Sequence, residues 1–306
     1  MPKPLLKHLV ALLILIAFLL AVEWWYGWAP LLAPWRTLSP LAIAAAALLT
    51  LLTYWLRTMR FYDYFRREMQ GGFATCFKLQ LQHNLFNNLL PARTGELSFP
   101  VLMSRWFGVP VIHSMTALFW FRLLDLHTLG LVALAAVGGH WLGLPVAVAA
   151  TLAWLPLPWF AHHFGRALRK RLHGHEGRIG RLVLKALDSL PQDDGAFWRA
   201  WAWTVVNWAV KLGAFAWVLW LFVPAPAAGL LLAVILGDLT SVLPVHGIAG
   251  AGTYEAGVVA GLAPFGIALK EALAGAVNLH LFMLGATLIG GAASVLLPSG
   301  NGGGAG

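Results

Sequence analysis

Long apolar stretches alternate along the chain with short polar connections, and this pattern predicts helices that cross a membrane. Apolar runs close to the ~20 residues that span a bilayer occur at 6–26, 41–58, 112–138, 142–161, 200–222 and 270–297. Two further hydrophobic regions, 73–107 and 227–265, are interrupted by proline and glycine. We therefore predict an all-α polytopic membrane protein with about six full spans and two broken hairpins.

Basic residues predict the orientation of these spans. The connection 162–199 is rich in arginine and lysine, and basic loops stay on the cytoplasmic side. If the basic flanks after span 41–58 and before span 6–26 share that side, region 73–107 enters and leaves the membrane from the cytoplasm. Region 227–265 then enters and leaves from the outside, so the two halves have opposite topology.

The expected architecture is an inverted repeat of two span–re-entrant hairpin–span units. Repeat one covers about 41–138 and repeat two about 200–297, joined by span 142–161 and the basic cytoplasmic loop 162–199. The alternative is that each hydrophobic arm of a hairpin crosses completely, which adds an even number of crossings and preserves the same sides. The sequence leaves both arrangements open.

Composition narrows the class of protein. The chain has 306 residues, of which 59% are hydrophobic and 11% charged, whereas about 25% of a soluble domain is charged. The net charge of +9 indicates positive-inside loops and contact with anionic lipid headgroups, so we predict no nucleic-acid partner. A single cysteine, Cys76, excludes a disulfide framework and a cysteine-based zinc cluster.

The polar connections are too short for a folded soluble domain, which usually needs about 50–200 residues. We expect one transmembrane domain over 1–298 and a flexible glycine-rich tail over 299–306. Lys3 and Lys7 precede an apolar run without a small-residue cleavage site, so an uncleaved first span is expected. The predicted location is a bacterial-type inner membrane, with both termini cytoplasmic.

The two interrupted regions carry similar sequences. The first contains Leu90-Pro91-Ala92-Arg93-Thr94-Gly95-Glu96, and Phe107-Gly108 follows it. The second contains Leu243-Pro244, then Gly247-Ile248-Ala249-Gly250-Ala251-Gly252-Thr253-Tyr254-Glu255, and Phe265-Gly266 follows it. Hydrophobic segments broken by proline and glycine at corresponding places in two halves are typical of transporter binding sites.

Several ionisable side chains fall inside the apolar regions, where a charge costs about 2.5–3.5 kcal/mol at a helix centre and should face a cavity or a partner. They are Arg93, Glu96, Arg105, Arg122, Asp125, Asp238 and Glu255, with His246 and His280 as less clear additions. One interpretation is an anion site of arginines, flanked by carboxylates that bind a cation or relay protons. The other is internal salt bridges, which the three-residue spacing of Arg122 and Asp125 favours. The repeated position of Glu96 and Glu255 favours function.

Gly250 and Gly252 also have two interpretations. Their backbone N–H groups could bind a phosphate, as helix N-termini and nests do, or their small size could allow close helix packing. Histidines 162, 163, 173 and 175 and Glu176 lie in a basic interfacial segment without cysteines or a repeated spacing. We therefore predict no metal site and no cofactor.

The run from Asn87 to Glu96 resembles the Pro-x-Arg-x-Gly-Glu motif of the lysylphosphatidylglycerol synthase transmembrane-region family, also called flippase-like domain proteins. The second family motif is matched by Pro244, Gly247, Gly250, Gly252 and Glu255. The resemblance covers about residues 5–298 and implies a polytopic inner-membrane protein that moves a lipid between leaflets. This chain lacks a basic residue soon after Glu96 and has Ala249-Gly250 in place of a Gly-Gly step, which leaves the lipid open.

The resulting prediction is a translocase for an anionic or aminoacylated lipid, or for a lipid-linked headgroup. The headgroup would lie between the hairpin tips, with Arg93 and Arg122 binding phosphate and Glu96 and Glu255 offsetting charge or relaying protons. The alternative is a membrane enzyme or an accessory subunit in lipid or lipid-linked glycan metabolism, without transport. Membrane lipids are the expected partners. A lipid-synthesising partner enzyme is a further candidate. The resemblance does not extend to the soluble aminoacyl-transferase domain fused to some family members, so it does not imply lipid synthesis by this chain.

Overall fold

The computed structural model describes residues 3–70, 72–90, 95–172, 177–188, 190–240 and 248–300. Regular secondary structure in these ranges is entirely helical, as the sequence predicts. The α-helices are α1 Lys3–Trp25, α2 Trp28–Leu32, α3 Pro40–Tyr64, α4 Arg66–Met69, α5 Phe73–Leu89, α6 Ser98–Phe107, α7 Val111–Ala136, α8 Gly138–Leu142, α9 Leu144–Trp154, α10 Leu157–Leu172, α11 Arg178–Leu187, α12 Asp194–Phe222, α13 Ala227–Thr240, α14 Thr253–Leu262 and α15 Leu269–Ala293. Short 3₁₀ turns lie at Ala33–Arg36, Ile248–Gly250, Ala263–Phe265 and Ser294–Leu296.

Within the described residues, five helical stretches are long and apolar enough to cross a membrane. They are Pro40–Tyr64, Val111–Ala136, Leu144–Leu172, Asp194–Phe222 and Leu269–Leu296, and they coincide with five of the six predicted spans. The sixth candidate is the pair Leu12–Trp25 and Trp28–Arg36, which is bent by 90°. The bend falls at Gly27, whose φ of 83° is a conformation that glycine adopts without strain. The protein is therefore an all-α, multi-pass membrane protein.

The two halves of the chain have the same order of helix lengths. Apart from the single-turn α4, the first half has helices of 25, 17, 10 and 26 residues (α3, α5, α6, α7). The second half has helices of 29, 14, 10 and 25 residues (α12, α13, α14, α15). Both halves therefore contain a long, an intermediate, a short and a long helix in that order. The repeat and its inverted orientation stay predictions.

The same Phe-Gly step punctuates both halves. Gly108 follows α6 with a φ of 67°, and Gly266 follows the turn after α14 with a φ of 76°. Both are left-handed conformations that favour glycine and end a helix. The next long helix begins three residues later in each case, at Val111 and at Leu269. The Phe-Gly step therefore ends a helical segment in both halves of the chain.

The connection predicted as a loop at 162–199 is largely helical. Helix α10 continues to Leu172, α11 occupies Arg178–Leu187, and α12 begins at Asp194. Apolar residues recur in α11 at three- and four-residue spacing, which gives a one-sided helix. Basic residues lower the average hydropathy of such a segment. The hydropathy pattern therefore shows where the apolar run ends, but it does not show that the chain remains helical beyond that point.

The chain forms two compact units, each discontinuous in sequence. The first comprises Met1–Leu52, Leu81–Ser98 and Val210–Ser294. The second comprises Thr53–Gln80, Phe99–Ala209 and Val295–Gly306. These units are defined by contacts within the chain, and the predicted single transmembrane domain over 1–298 stays a prediction.

Each unit has its own buried cluster. In the first, Val22, Leu31 and Val277 pack together. In the second, the ring of Phe61 lies 4.6 Å from that of Phe99 and 5.2 Å from that of Phe121. These three rings are at most 1% exposed, and aromatic packing of this kind fixes the helices that carry the charged side chains of the second unit.

The end of the described chain packs in the second unit. Lys78 Nζ donates to the carbonyl of Leu297 at 2.7 Å and to Ser299 Oγ at 2.9 Å. Ser299 was predicted to begin a flexible tail, of which residues 301–306 lie outside the described residues.

Candidate functional site

A buried carboxylate lies at the start of α14 in the first compact unit. Gly252 precedes the helix with a φ of 82°, and its N–H donates to Glu255 Oε2 at 2.8 Å. The other oxygen, Oε1, lies 2.7 Å from Nδ1 of His280 on α15. Glu255 is 2% exposed and His280 6%. The carboxylate therefore replaces its water contacts with one backbone and one imidazole partner, and the helix N-terminus further favours its negative charge.

The contact between Glu255 and His280 can hold one proton. With the imidazole protonated, the two side chains form an ion pair of zero net charge. When that proton leaves, the pair carries a charge of −1 in a buried position. The buried pair therefore carries either zero or one negative charge, depending on whether a proton is shared between the two side chains.

A second ion pair, which is partly buried, lies in the same unit. Lys211 Nζ on α12 lies 2.8 Å from Asp238 Oδ2 on α13, and the two side chains are 13% and 10% exposed. Tyr254 packs against Gly237, the residue before Asp238. The centre of its ring is 4.6 Å from that of His280. Tyr254 therefore links the two pairs, and its buried hydroxyl has no hydrogen-bond partner among the described residues.

Close backbone packing positions these side chains. A Cβ added at Gly261 would lie 2.3 Å from the Cα of Ala233, and one added at Gly257 would lie 2.7 Å from the carbonyl oxygen of Leu236. Position 261 thus meets position 233, and position 257 meets position 236, so the two helices are antiparallel. Small residues that let helix backbones approach are typical of packing in membranes. Here they hold Asp238 on α13 and Glu255 on α14 in one hairpin.

The second compact unit buries an aspartate that three helices surround. Asp125 on α7 is 7% exposed, and its Oδ1 accepts from Arg60 Nη1 at 2.6 Å and from Trp208 Nε1 at 2.8 Å. Arg60 also donates to Thr204 Oγ1 at 3.1 Å. The predicted Arg122–Asp125 contact is present but longer, at 4.0 Å to Oδ2, and Arg122 is 34% exposed. The main partner of Asp125 is therefore Arg60.

Arg60 is buried in spite of its charge. It is 3% exposed, and its guanidinium carbon lies 4.6 Å from the centre of the Phe121 ring and 5.5 Å from that of Phe61. Cation–π contacts of this kind strengthen when the site is dry. The arginine is thus held by a carboxylate on one side and by aromatic faces on the other.

The first hairpin turns back on itself in a similar way. A Cβ added at Gly95 would lie 2.2 Å from the carbonyl oxygen of Phe86, so only glycine fits there. Ser98 Oγ donates to the carbonyl of Gly95 at 2.6 Å and lies 3.0 Å from His83 Nδ1. These contacts lie in the first compact unit and join the end of α5 to the start of α6.

The sequence model of the lysylphosphatidylglycerol synthase transmembrane region matches residues 8–304. The chain belongs to this family. As a family member with several membrane-spanning helices, it is a membrane protein of lipid metabolism or transport. No curated protein and no solved structure matches the chain significantly.

The two family motifs that the sequence predicts are only partly described. Residues 91–94, which include Arg93, and residues 241–247, which include His246, lie outside the described residues. Glu96 is half-buried, Arg105 on α6 is exposed, and Gly250 is buried with a φ of 79°. Of the predicted site residues, Asp238, Gly252 and Glu255 come together in the first unit, and Arg122 and Asp125 in the second.

The two halves of the chain also correspond in the residues that follow their Phe-Gly steps. Arg122 lies fifteen positions after Phe107, and His280 lies fifteen positions after Phe265. Because the long helix begins at the same distance from the step in both halves, these two residues occupy equivalent positions on α7 and α15. One half therefore has an arginine where the other has a histidine.

Sequence reasoning missed Lys211 and Arg60 as buried charges. Lys211 lies in the middle of an apolar run, and its position eleven residues into span 200–222 was the available signal. Arg60 was assigned to the basic cytoplasmic flank, because the predicted span ends at residue 58, before the end of the helix. The structure extends that helix to Tyr64, which moves Arg60 inside it.

Proposed function

We propose that this protein is a lipid translocase, which moves an anionic or aminoacylated lipid between the leaflets of a bacterial-type inner membrane. The observation that carries the proposal is the set of buried and partly buried ionisable groups in the first unit. Glu255, His280, Lys211 and Asp238 lie within or beside apolar helices and are paired with one another. Ionisable residues at membrane depth are costly and usually mark a substrate or ion pathway.

The chemistry of this cluster suits a lipid headgroup. Lys211 offers three N–H donors to a phosphate, and Asp238 and Glu255 offer acceptors to an ammonium group. The Tyr254 hydroxyl, buried and without a partner among the described residues, can donate to a phosphate oxygen. An aminoacylated phospholipid carries both an ammonium and a phosphate, and it can therefore exchange partners with the existing pairs without leaving a charge unpaired.

Helix lengths support the re-entrant form of the second hairpin. Helices α13 and α14 contain 14 and 10 residues, which correspond to about 21 and 15 Å at 1.5 Å per residue. Both are shorter than the bilayer core of about 30 Å. Irregular backbone inside a membrane persists only when it is buried in protein or lines a wet cavity, and such a cavity is where a headgroup would bind.

Proton exchange at Glu255 and His280 is the proposed source of a change in site charge. Loss of the shared proton would leave Glu255 as an uncompensated carboxylate, which attracts the ammonium group of the lipid. Return of the proton to His280 would restore the internal pair and release the lipid. The basic residues of α10 and α11 would face the cytoplasm, with both termini on that side, and a lipid-synthesising enzyme would supply the substrate.

The test is leaflet movement of labelled anionic, aminoacylated and zwitterionic lipids in proteoliposomes. Glu255→Gln keeps the shape of the side chain but removes its charge, so we expect it to abolish movement. Glu96→Gln tests the repeated position in the first half. Asp63→Asn is the matched control, because Asp63 pairs with Arg199 in an exposed position.

Two outcomes would contradict the proposal. One is that no lipid moves with the folded wild-type protein, and the other is that movement is indifferent to Glu255→Gln. A chemically altered lipid recovered from the vesicles would favour the enzyme alternative. Loss of lipid synthesis in cells without any movement in vesicles would favour an accessory subunit.

A further inference from the structure

In contrast to the sequence-based prediction of no metal site, we propose that His162, His163 and Asp194 form a binding site for a divalent transition-metal ion in the second compact unit, independent of the proposed translocase function. Nε2 of His162 lies 3.2 Å from Asp194 Oδ1, and Nε2 of His163 lies 4.0 Å from the same oxygen. All three ligand atoms lie within 4.8 Å of one another. Ligands of a tetrahedral zinc ion are about 3.3 Å apart for bonds of about 2.0–2.1 Å. A small adjustment of the His163 and Asp194 side chains, which are 38% and 55% exposed, therefore completes the geometry around the buried His162.

The imidazole of His163 is held in the orientation that a metal needs. Nδ1 of His163 lies 3.0 Å from the carbonyl oxygen of Trp159, to which it donates, so the lone pair is on Nε2, the atom that faces Asp194. Metal-binding histidines usually donate their second ring N–H to a carbonyl or a carboxylate in this manner. The ring of His162 stacks on Phe197 at 4.8 Å and an angle of 19°, which restricts its rotation.

The carboxylate of Asp194 does not cap the helix that it begins. Asp193 Oδ1 accepts the N–H of Ala196 at 2.7 Å, so the residue before Asp194 caps α12. The side chain of Asp194 is 55% exposed, which gives an ion access from solvent. Two imidazoles and one carboxylate also leave a fourth position open for water, as in zinc sites with three protein ligands.

Arg166 competes for the same oxygen. Its Nη1 lies 2.7 Å from Asp194 Oδ1, and the two side chains are 40% and 55% exposed. An exposed ion pair of this type is weak, so a metal ion can displace the guanidinium. Removal of Arg166 should therefore strengthen metal binding, whereas a purely structural role of Asp194 predicts no metal binding in any variant.

The experiment measures Zn²⁺ bound to the full chain, purified in detergent through a histidine-free tag and stripped with chelator. We expect one ion per chain by equilibrium dialysis and elemental analysis. Asp194→Asn and His163→Ala should each weaken binding at least about tenfold, the lower bound seen even for indirect changes around metal ligands. Arg166→Gln should tighten it. The control is His140→Ala, which removes an exposed histidine outside the cluster.

Both ligand variants replace exposed or half-exposed side chains, so folding is checked by the thermal unfolding of the metal-free proteins. The proposal is overturned if the wild-type chain binds no Zn²⁺, or if Asp194→Asn, His163→Ala and His140→Ala bind it with equal affinity. Unchanged binding by Arg166→Gln would also contradict it, because the ion and the guanidinium would then not share an oxygen.

Discussion

Asp125→Ala is expected to destabilise the second compact unit by about 3–5 kcal/mol, the cost of removing one partner from a buried ion pair. The substitution deletes the acceptor that lies 2.6 Å from Arg60 and 2.8 Å from Trp208 Nε1. Arg60 is 3% exposed and cannot regain water without moving out of its aromatic surroundings. The loss is therefore that of an orphaned cation and not of a single hydrogen bond.

Unfolding in mixed micelles with increasing denaturant, followed by tryptophan fluorescence, measures this loss. Asp63→Ala is the control, because Asp63 and Arg199 form a pair of 3.1 Å whose side chains are 27% and 45% exposed. An exposed pair contributes about 0–1 kcal/mol, so this control should unfold close to wild type.

The double variant Arg60→Met/Asp125→Leu separates charge from packing. It removes both buried charges, and apolar replacement of a buried pair is often neutral or stabilising by about 1–4 kcal/mol. We expect it to recover most of the stability that Asp125→Ala loses. The reasoning is refuted if Asp125→Ala unfolds like Asp63→Ala, or if the double variant is at least as unstable as Asp125→Ala.

Three further predictions concern packing and topology. Gly261→Ala places a Cβ against the backbone of Ala233, so it should lower the free energy of unfolding by about 1–3 kcal/mol, as overpacking does. Gly213→Ala is the control: its Cβ meets no atom within 4 Å, and it should not lower the unfolding midpoint. Asn278→Leu removes a 2.6 Å hydrogen bond from Trp35, so we expect a loss of about 1–3 kcal/mol for the unsatisfied donor, and an unchanged midpoint would contradict that contact. Reporter fusions at the two termini should both report the cytoplasmic side, and opposite sides would refute the predicted orientation.

The fold class, five of six spans and the order of elements in the two halves follow from the sequence because each rests on local signals. Apolar runs determine which segments enter a membrane, and the Phe-Gly steps determine where two of the helices end. Glu255 was found for the same reason, since a glutamate in a repeated glycine-rich motif stands out. His280 was also a candidate residue. Its contact with Glu255 joins positions 25 residues apart, so the sequence did not predict the pair.

The remaining contacts depend on tertiary packing that no local pattern reports. Asp125 was expected to pair with Arg122, its neighbour on the same helix, yet the buried partner is Arg60, 65 positions away. Spacing along one helix predicts which side chains share a face, but not which other helix covers that face. Asp194 escaped notice beside His162 for the same reason, because α12 brings it there from 32 positions away.

The burial of Cys76 has a practical consequence for spectroscopy. This is the single cysteine of the chain; it is 0% exposed, and its sulfur lies 3.9 Å from the carbonyl oxygen of Thr58. A maleimide or a nitroxide reagent added to the folded protein would therefore leave it unmodified. Any cysteine introduced on the surface becomes the unique reactive thiol, so pairs of labels can report distances between helices without first removing the native residue.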